Sequence, residues 1–335
     1  MGRSTCVESG FVKTIGGQVL RPYVPSARQD ISQQTTDALC TLPLPFWSID
    51  NSCLAAYTAI VMQPEMNTDF HKKVAVVTGA GGAICGEIAV ALASEGAFVA
   101  VWDISQPAAK RTVQEISSVG VVAIAVECDV TDRASVTAAT EKVLGEWGTV
   151  DILVNGAGGV HKNSTTSPDL EFFDIDQQSL MEGLSLNYLS AVIPSQVVGK
   201  VFAGKGSGAI LNISSIAGIH PLTRALTYSN AKAALISFTQ WLAVHMAQNY
   251  SPKIRVNAIA PGFMLTDQNR FLLVDEKTGE LTDRGRVVLN HVPMGRFGEP
   301  KEIVGAALWL VSGSANFVTG AVIPVDGGFT AFSGV

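Results

Sequence analysis

The sequence predicts an α/β fold: a doubly wound, Rossmann-type parallel sheet of seven strands in one domain, with a lid segment near 264–296. Three observations carry that expectation. Short apolar runs alternate with helical stretches of ten or more residues, the pattern of βαβ units and a parallel sheet. The first run opens into a glycine-rich turn, Gly79-Ala-Gly-Gly-Ala-Ile-Cys-Gly86. The chain has 335 residues, 47% of them hydrophobic and 16% charged, enough to bury a large core and too apolar for a disordered chain.

The elements follow in order. Lys73-Val-Ala-Val-Val-Thr78 suits a strand buried on both faces. A helix follows the glycine turn as far as Ser94, then a strand over Phe98–Trp102 and a helix over Pro107–Val119. Val121–Val126 is a third strand and Ser135–Trp147 a third helix. Further strands are expected at Ile152–Val154, Ala209–Ile213, Ile254–Ile259 and Ala321–Val325, with helices near Gln177–Val201 and Tyr228–Asn249. Residues 1 to about 65 read differently. They hold Pro22, Pro25, Pro43, Pro45 and Pro64, three of the five cysteines, and no sustained periodicity. They are read as a poorly ordered extension; a stretch upstream of a start at Met66 and a targeting peptide are the alternatives. The catalytic domain is expected over 66–335.

The formal charge of −6 argues against nucleic acid as a partner. No apolar run reaches the roughly 18 residues of a membrane helix. The scattered cysteines fit neither a disulfide framework nor a metal site, and they suit a reducing, cytoplasmic compartment. No metal is expected.

Strand, glycine turn and helix in sequence set backbone N–H groups and a positive helix end against a pyrophosphate. Gly79, Gly81 and Gly82 allow close approach. Asp103, about twenty residues on, would accept from a ribose 2′-hydroxyl, and no cation follows it, so NAD(H) is favoured over its 2′-phosphorylated form. Asp129 either meets adenine or serves as a turn carboxylate. Tyr228 and Lys232 lie at i and i+4, on one helix face. A nearby ammonium lowers a phenol's pKa and fits it to handle an alcohol's proton. Ser215, at the end of the fifth strand, can donate to the substrate oxygen, with Ser214 its rival. Asn187 stands on an apolar helix face, where an amide needs a partner or an ordered water.

Together these residues resemble the short-chain dehydrogenase/reductase family, from about Met66 to the C-terminus. The matching pieces are Thr78-Gly79, Cys128-Asp129-Val130, Asn155-Gly-Ala-Gly158, Asn187, Ser215, Tyr228-x-x-x-Lys232, Pro261-Gly262 with Thr266, and Asp326-Gly-Gly328. The resemblance implies Tyr228 as acid/base, Lys232 on the nicotinamide ribose, Ser215 orienting substrate and Asn187 holding a relay water. It implies cofactor contacts from Gly79, Gly82, Ala83, Ile84, Asp103, Asp129, Val130, Asn155, Ala157, Pro261, Gly262 and Thr266, with Asn155 as the residue that stabilises the strands near adenine. One departure stands out: Ala83 and Cys85 occupy the second and third glycine positions of the family's TGxxxGxG turn, and Cys85 is read as a packing residue.

For the substrate, Arg270 and Arg224 could each hold a carboxylate. Gln268 and Asn269 are polar neighbours, and His161, His220 and His291 weaker candidates; Arg296 is read as a lid anchor. Asp275–Glu280 reads as a turn. Phe-Thr-Gln-Trp-Leu-Ala243, Asp267–Arg270, Pro293–Gly298 and the C-terminal Pro324–Val335 are similar to the D-mannonate oxidoreductases, or D-fructuronate reductases, within the family. That implies a sugar acid and its keto form as the substrate pair; a polyol or other alcohol is the alternative, and a non-catalytic dinucleotide sensor the third reading. Apolar faces on the helices near 177–201 and 228–249 imply, by the same resemblance, a homodimer or homotetramer.

Overall fold

The computed structural model describes residues 70–118, 120–266, 269–275 and 277–334. The expectation for residues 1–65, and Gln268, lie outside them. Seven parallel strands form the sheet: β1 (Val74–Thr78), β2 (Phe98–Asp103), β3 (Ala123–Glu127), β4 (Ile152–Asn155), β5 (Gly208–Ile213), β6 (Ile254–Pro261) and β7 (Val322–Val325). Their order is β3-β2-β1-β4-β5-β6-β7. The direction of winding reverses between β1 and β4, which opens a crevice at the carboxyl ends of those strands, where ligands of such sheets bind.

Strand periodicity explains the layering. Ala75 and Val77 of β1 point into one apolar layer with Val99 and Val101 of β2. Val74 and Val76 point into the other with Ala100 and Trp102. Helices α1 (Ala83–Ser94) and α2 (Gln106–Ser118) close the first layer with Ile88, Leu92 and Ile116. Helix α3 (Arg133–Trp147) closes the second with Val136 and Val143. The α3 start is set by Asp132, whose side chain accepts from Ala134 N and Ser135 N, and its end by Gly148 at φ 73°.

The stretch expected as a helix over Gln177–Val201 is three pieces. Helix α4 (Gln177–Leu184) passes into a π-helical segment, Ser185–Leu189, and then into α5 (Ser190–Lys205). Such insertions concentrate at functional sites. Helix α6 (Leu226–Asn249) carries Tyr228 and Lys232 in its first two turns. The lid contains the short helices α7 (Arg270–Leu273) and α8 (Asp283–Leu289), joined by a hairpin bridged at Val274 and Leu281. Asp275 makes the hairpin tip, as expected, by accepting from Lys277 N and Thr278 N. Leu273, Val288 and Val292 form a small apolar cluster with Phe263, Leu265, Phe297 and Phe329, separate from the two main layers. Helix α9 (Val304–Val311) then leads to β7. No helix among the described residues is long and apolar enough to cross a membrane.

Candidate active site

Thr78 ends β1 and its Oγ1 accepts from Gly156 N (3.0 Å) and Ala157 N (3.3 Å), tying the glycine turn to the loop after β4. Gly79 is in the left-handed region at φ +64°, and a Cβ there would lie 2.8 Å from Ala157 Cα. A side chain on Gly81 would lie 2.9 Å from Asp103 Oδ2, the atom that accepts from Gly81 N at 2.9 Å. Gly82 precedes α1 with no capping side chain, so the helix start presents bare N–H groups beside Ala83 and Ile84. A narrow glycine turn, an uncapped helix start and a carboxylate at the end of β2 fit the pyrophosphate and ribose of a dinucleotide.

The Cys85 departure has a local compensation. Its side chain is buried and packs where a Cβ on Gly156 would sit, so the bulk added on α1 is accommodated by the bare residue opposite. Burial pushes the thiol up to about 12, which keeps it protonated and agrees with a packing role.

Asp129 makes the turn reading visible: Oδ1 accepts from Thr131 N (2.8 Å) and Thr131 Oγ1 (2.6 Å). The Val130 side chain is buried in the core, leaving only its backbone for a ligand. Asn155 braces the sheet: its Nδ2 donates to Ser195 Oγ (3.0 Å) and Asn212 Oδ1 (2.9 Å), joining β4 to β5 and α5, while its buried Oδ1 has no hydrogen-bond partner among the described residues.

Ser215, Tyr228 and Lys232 come together. The Ser215 hydroxyl lies beside the phenol of Tyr228 and favours its ionised form, and Lys232 Nζ lies 5.7 Å from the phenol ring centre. The neighbouring Ser214 points away and donates to Lys232 O at 3.1 Å, which settles the choice between the two serines. Gly218 lets this loop close on α6, since a Cβ there would lie 2.6 Å from the Lys232 carbonyl carbon. Lys232 is buried and donates to Ile213 O at 2.8 Å.

The protonation picture differs from the expected one. Burial pushes the Tyr228 phenol above its ordinary value, and the Ser215 hydroxyl only opposes this. Burial also lowers Lys232 to about 8. The ammonium is therefore costly in this site, and burial sets the direction of the shift for both groups. Between about pH 8 and 10.5 the unfolded chain binds more protons at this lysine than the folded one, so its contribution to stability rises with pH across that window. Urea unfolding of wild type and Lys232→Met across it should show the wild type gaining on the variant; a constant difference would mean that the lysine is not desolvated.

Asn187 lies in the π-helical segment and is buried. Its Nδ2 donates to Gly159 O (2.7 Å) and Gly183 O (3.2 Å), and Oδ1 accepts from Gly159 N (2.9 Å). Both amide protons are thus committed to holding the loop after β4, and neither is left for a relay water.

Pro261 ends β6, and Gly262 packs against Asp326, where a Cβ would lie 2.6 Å from its Cα. Thr266 follows at the base of the lid. Asn269, expected at the substrate, instead braces this turn: Oδ1 accepts from Thr266 N (2.9 Å) and Nδ2 donates to Met264 O (2.7 Å). Arg270 is exposed at the start of α7 with no bonded partner for its side chain among the described residues. Arg296 does anchor the lid, through paired contacts of 2.7 and 2.6 Å to Glu302.

Arg224 precedes α6 with its backbone in the left-handed region at φ 71°, and it lines a cavity of about 250 Å³ with Leu226, Ser229 and Asn230. His161 is held by Ser164 and Glu182. Ser164, Gly183, Gly218 and Thr227 were not marked by sequence reasoning. Their signal is contact across the fold, which no local spacing carries.

Fold and site together define a dinucleotide-dependent oxidoreductase acting on alcohol groups. Residues 79–330 match the family model described as enoyl-(acyl carrier protein) reductase. The chain belongs to the short-chain dehydrogenase/reductase family. The uncharacterized oxidoreductase UxuB of Bacillus subtilis (strain 168) is 42% identical over 272 residues, 78% of this chain and 96% of that protein. The 7alpha-hydroxysteroid dehydrogenase of Escherichia coli (strain K12) is 35% identical over 262 residues, 78% of this chain and 96% of that one. A crystal structure from Haemophilus influenza, provisionally named a D-mannonate oxidoreductase and holding bound NAD, has a TM-score of 0.75. It is 41% identical and covers 81% of this chain and 99% of its own.

Proposed function

We propose that the protein is an NAD(H)-dependent oxidoreductase that interconverts a sugar acid and its keto form, D-mannonate and D-fructuronate being the pair to test first. The observation that carries this reading is the grouping of Ser215 and Tyr228 beside Lys232, at the same sheet edge as the Gly79 turn and Asp103. When bound, the nicotinamide supplies or accepts the hydride. Tyr228 gives its proton to the keto oxygen during reduction and takes it back from the alcohol during oxidation. Ser215 holds that oxygen by a second hydrogen bond. Lys232, below about pH 8, places a positive charge where it stabilises the oxygen as charge develops. Asp103 favours a free 2′-hydroxyl on the dinucleotide, because a 2′-phosphate would meet its carboxylate.

The name of the Haemophilus influenza neighbour supports the sugar acid, and so does the lid. Arg270 stands exposed at its edge as a cation with no bonded partner among the described residues. Its apolar residues divide, Leu273, Val288 and Val292 packing together while Phe271, Leu272 and Val287 stay exposed. Exposed Met181, Leu189, Trp241 and Val244 on the segments around 181–189 and on α6 support self-association through these faces.

NADH oxidation with D-fructuronate, and NAD reduction with D-mannonate, D-gluconate and neutral polyols, test the assignment. Arg270→Ala is expected to raise KM for the sugar acid about tenfold or more while leaving a neutral polyol unaffected. Preference of the wild type for polyols would overturn the sugar-acid reading and leave the acid/base group in place.

A further inference from the structure

A second line of side chains reaches the residue next to Tyr228 from the protein surface. Ser164 Oγ and Thr227 Oγ1 lie 2.6 Å apart, both buried. His161 Nδ1 lies 3.2 Å from Ser164 Oγ, and His161 Nε2 lies 3.3 Å from Glu182 Oε2. Glu182 is itself held, since its Oε1 accepts from Gln178 Nε2 at 2.9 Å. A carboxylate only accepts, so Nε2 carries a proton toward Glu182. In the neutral ring Nδ1 then accepts from Ser164, and Ser164 accepts from Thr227.

The surroundings are built for this contact. A Cβ on Gly183 would lie 2.3 Å from Thr227 Oγ1 and 2.7 Å from Ser164 Oγ, so α4 can pass the hydroxyl pair only as glycine. The Gly183 carbonyl accepts from Asn187, which also grips Gly159. Thr166 N donates to Arg224 O at 3.1 Å, a further stitch between the loop after β4 and the approach to α6. The loop is thus fastened at 159 to the π-helical segment and at 164 to the residue that precedes the phenol.

We propose that His161, Ser164 and Thr227 are positioning residues that fix the first turn of α6 against the loop after β4 and so aim the Tyr228 hydroxyl at the substrate oxygen. The inference rests on the reading of Tyr228 as the acid/base. Thr227→Val keeps the shape of the side chain and removes its hydroxyl; Thr227→Ser keeps the hydroxyl. In Thr227→Val, kcat should fall about tenfold, in line with a displaced reacting group, with NADH affinity unchanged. Thr227→Ser should restore it, and His161→Gln should fall between.

An ultraviolet difference titration of each protein against its Tyr228→Phe counterpart follows ionisation of this phenol without any substrate. Its midpoint should move in Thr227→Val and return in Thr227→Ser. An unmoved midpoint overturns the proposal whatever the rate does, and so does a loss of NADH affinity matching the loss of kcat. A wild type that turns over none of the substrates overturns the acid/base reading instead, while the titration still decides the positioning chain.

Discussion

Tyr228→Phe is expected to lower kcat by about a thousandfold, within the range that a positioned general acid contributes. NADH affinity and the unfolding midpoint should stay near wild type. The variant loses one oxygen and keeps the ring, so the packing of the first turn of α6 is preserved. What it removes is the proton that must reach the keto oxygen as hydride reaches the carbon. Because burial holds the phenol above its ordinary value, it stays protonated through neutral pH and can serve reduction without a prior ionisation. Ser215 does not take over, since an aliphatic hydroxyl is far too weak an acid to deliver a proton at neutral pH. Stopped-assay rates with NADH and the substrate pair, together with NADH fluorescence titration, check both halves. A variant that retains turnover removes Tyr228 from the reaction.

Gly79→Ala is expected to destabilise the protein by about 3 kcal/mol, near the upper range of single substitutions, and to lower its melting point by about 8 °C. The left-handed backbone at φ +64° disfavours any Cβ. The larger part is steric: the new atom would sit 2.8 Å from Ala157 Cα and 2.9 Å from Ala157 N, backbone atoms that have no rotamer to yield. Relief requires the turn to part from the loop after β4, which draws Gly156 N and Ala157 N off Thr78 Oγ1. The pyrophosphate cradle distorts with it, so NADH affinity should fall at least about tenfold. Calorimetry and fluorescence titration read the two effects. An alanine variant that binds NADH like wild type would mean that this turn does not meet the dinucleotide.

Much of the architecture was legible because burial on both faces writes itself into β1, β2 and β4 as short apolar runs. The Tyr228–Lys232 pair was legible because four residues make about one helical turn. The choice of Ser215 over Ser214 follows from strand alternation: the penultimate hydroxyl turns to the Lys232 backbone and the next one to the phenol. Other features leave no local trace. The π-helical step at Ser185–Leu189 changes the hydrogen-bond register without changing composition, so a continuous helix was the natural expectation. Asn187, Asn269 and His161 are residue types that suit a ligand and a backbone brace equally, and only their neighbours in space show that they brace. Arg224 lies in the loop before α6 with a left-handed backbone at φ 71°, and no spacing shows where such a residue points. The direction of the Tyr228 shift escaped because sequence spacing reveals the nearby ammonium and says nothing of how deeply both groups are buried.

The apolar cluster of Leu273, Val288 and Val292 has a bearing on how this scaffold diversifies. Its members pack on one another and on Phe263 and Phe329, and the segment joins the rest of the protein at Met264, which reaches the main core, through the Met294 N to Gly327 O bond and through the Arg296–Glu302 clasp. Such a piece behaves as a cassette: it can be exchanged for another of different polarity without reopening the interior. Substrate range and folding stability are then free to evolve separately, the first in the cassette and the second beneath it.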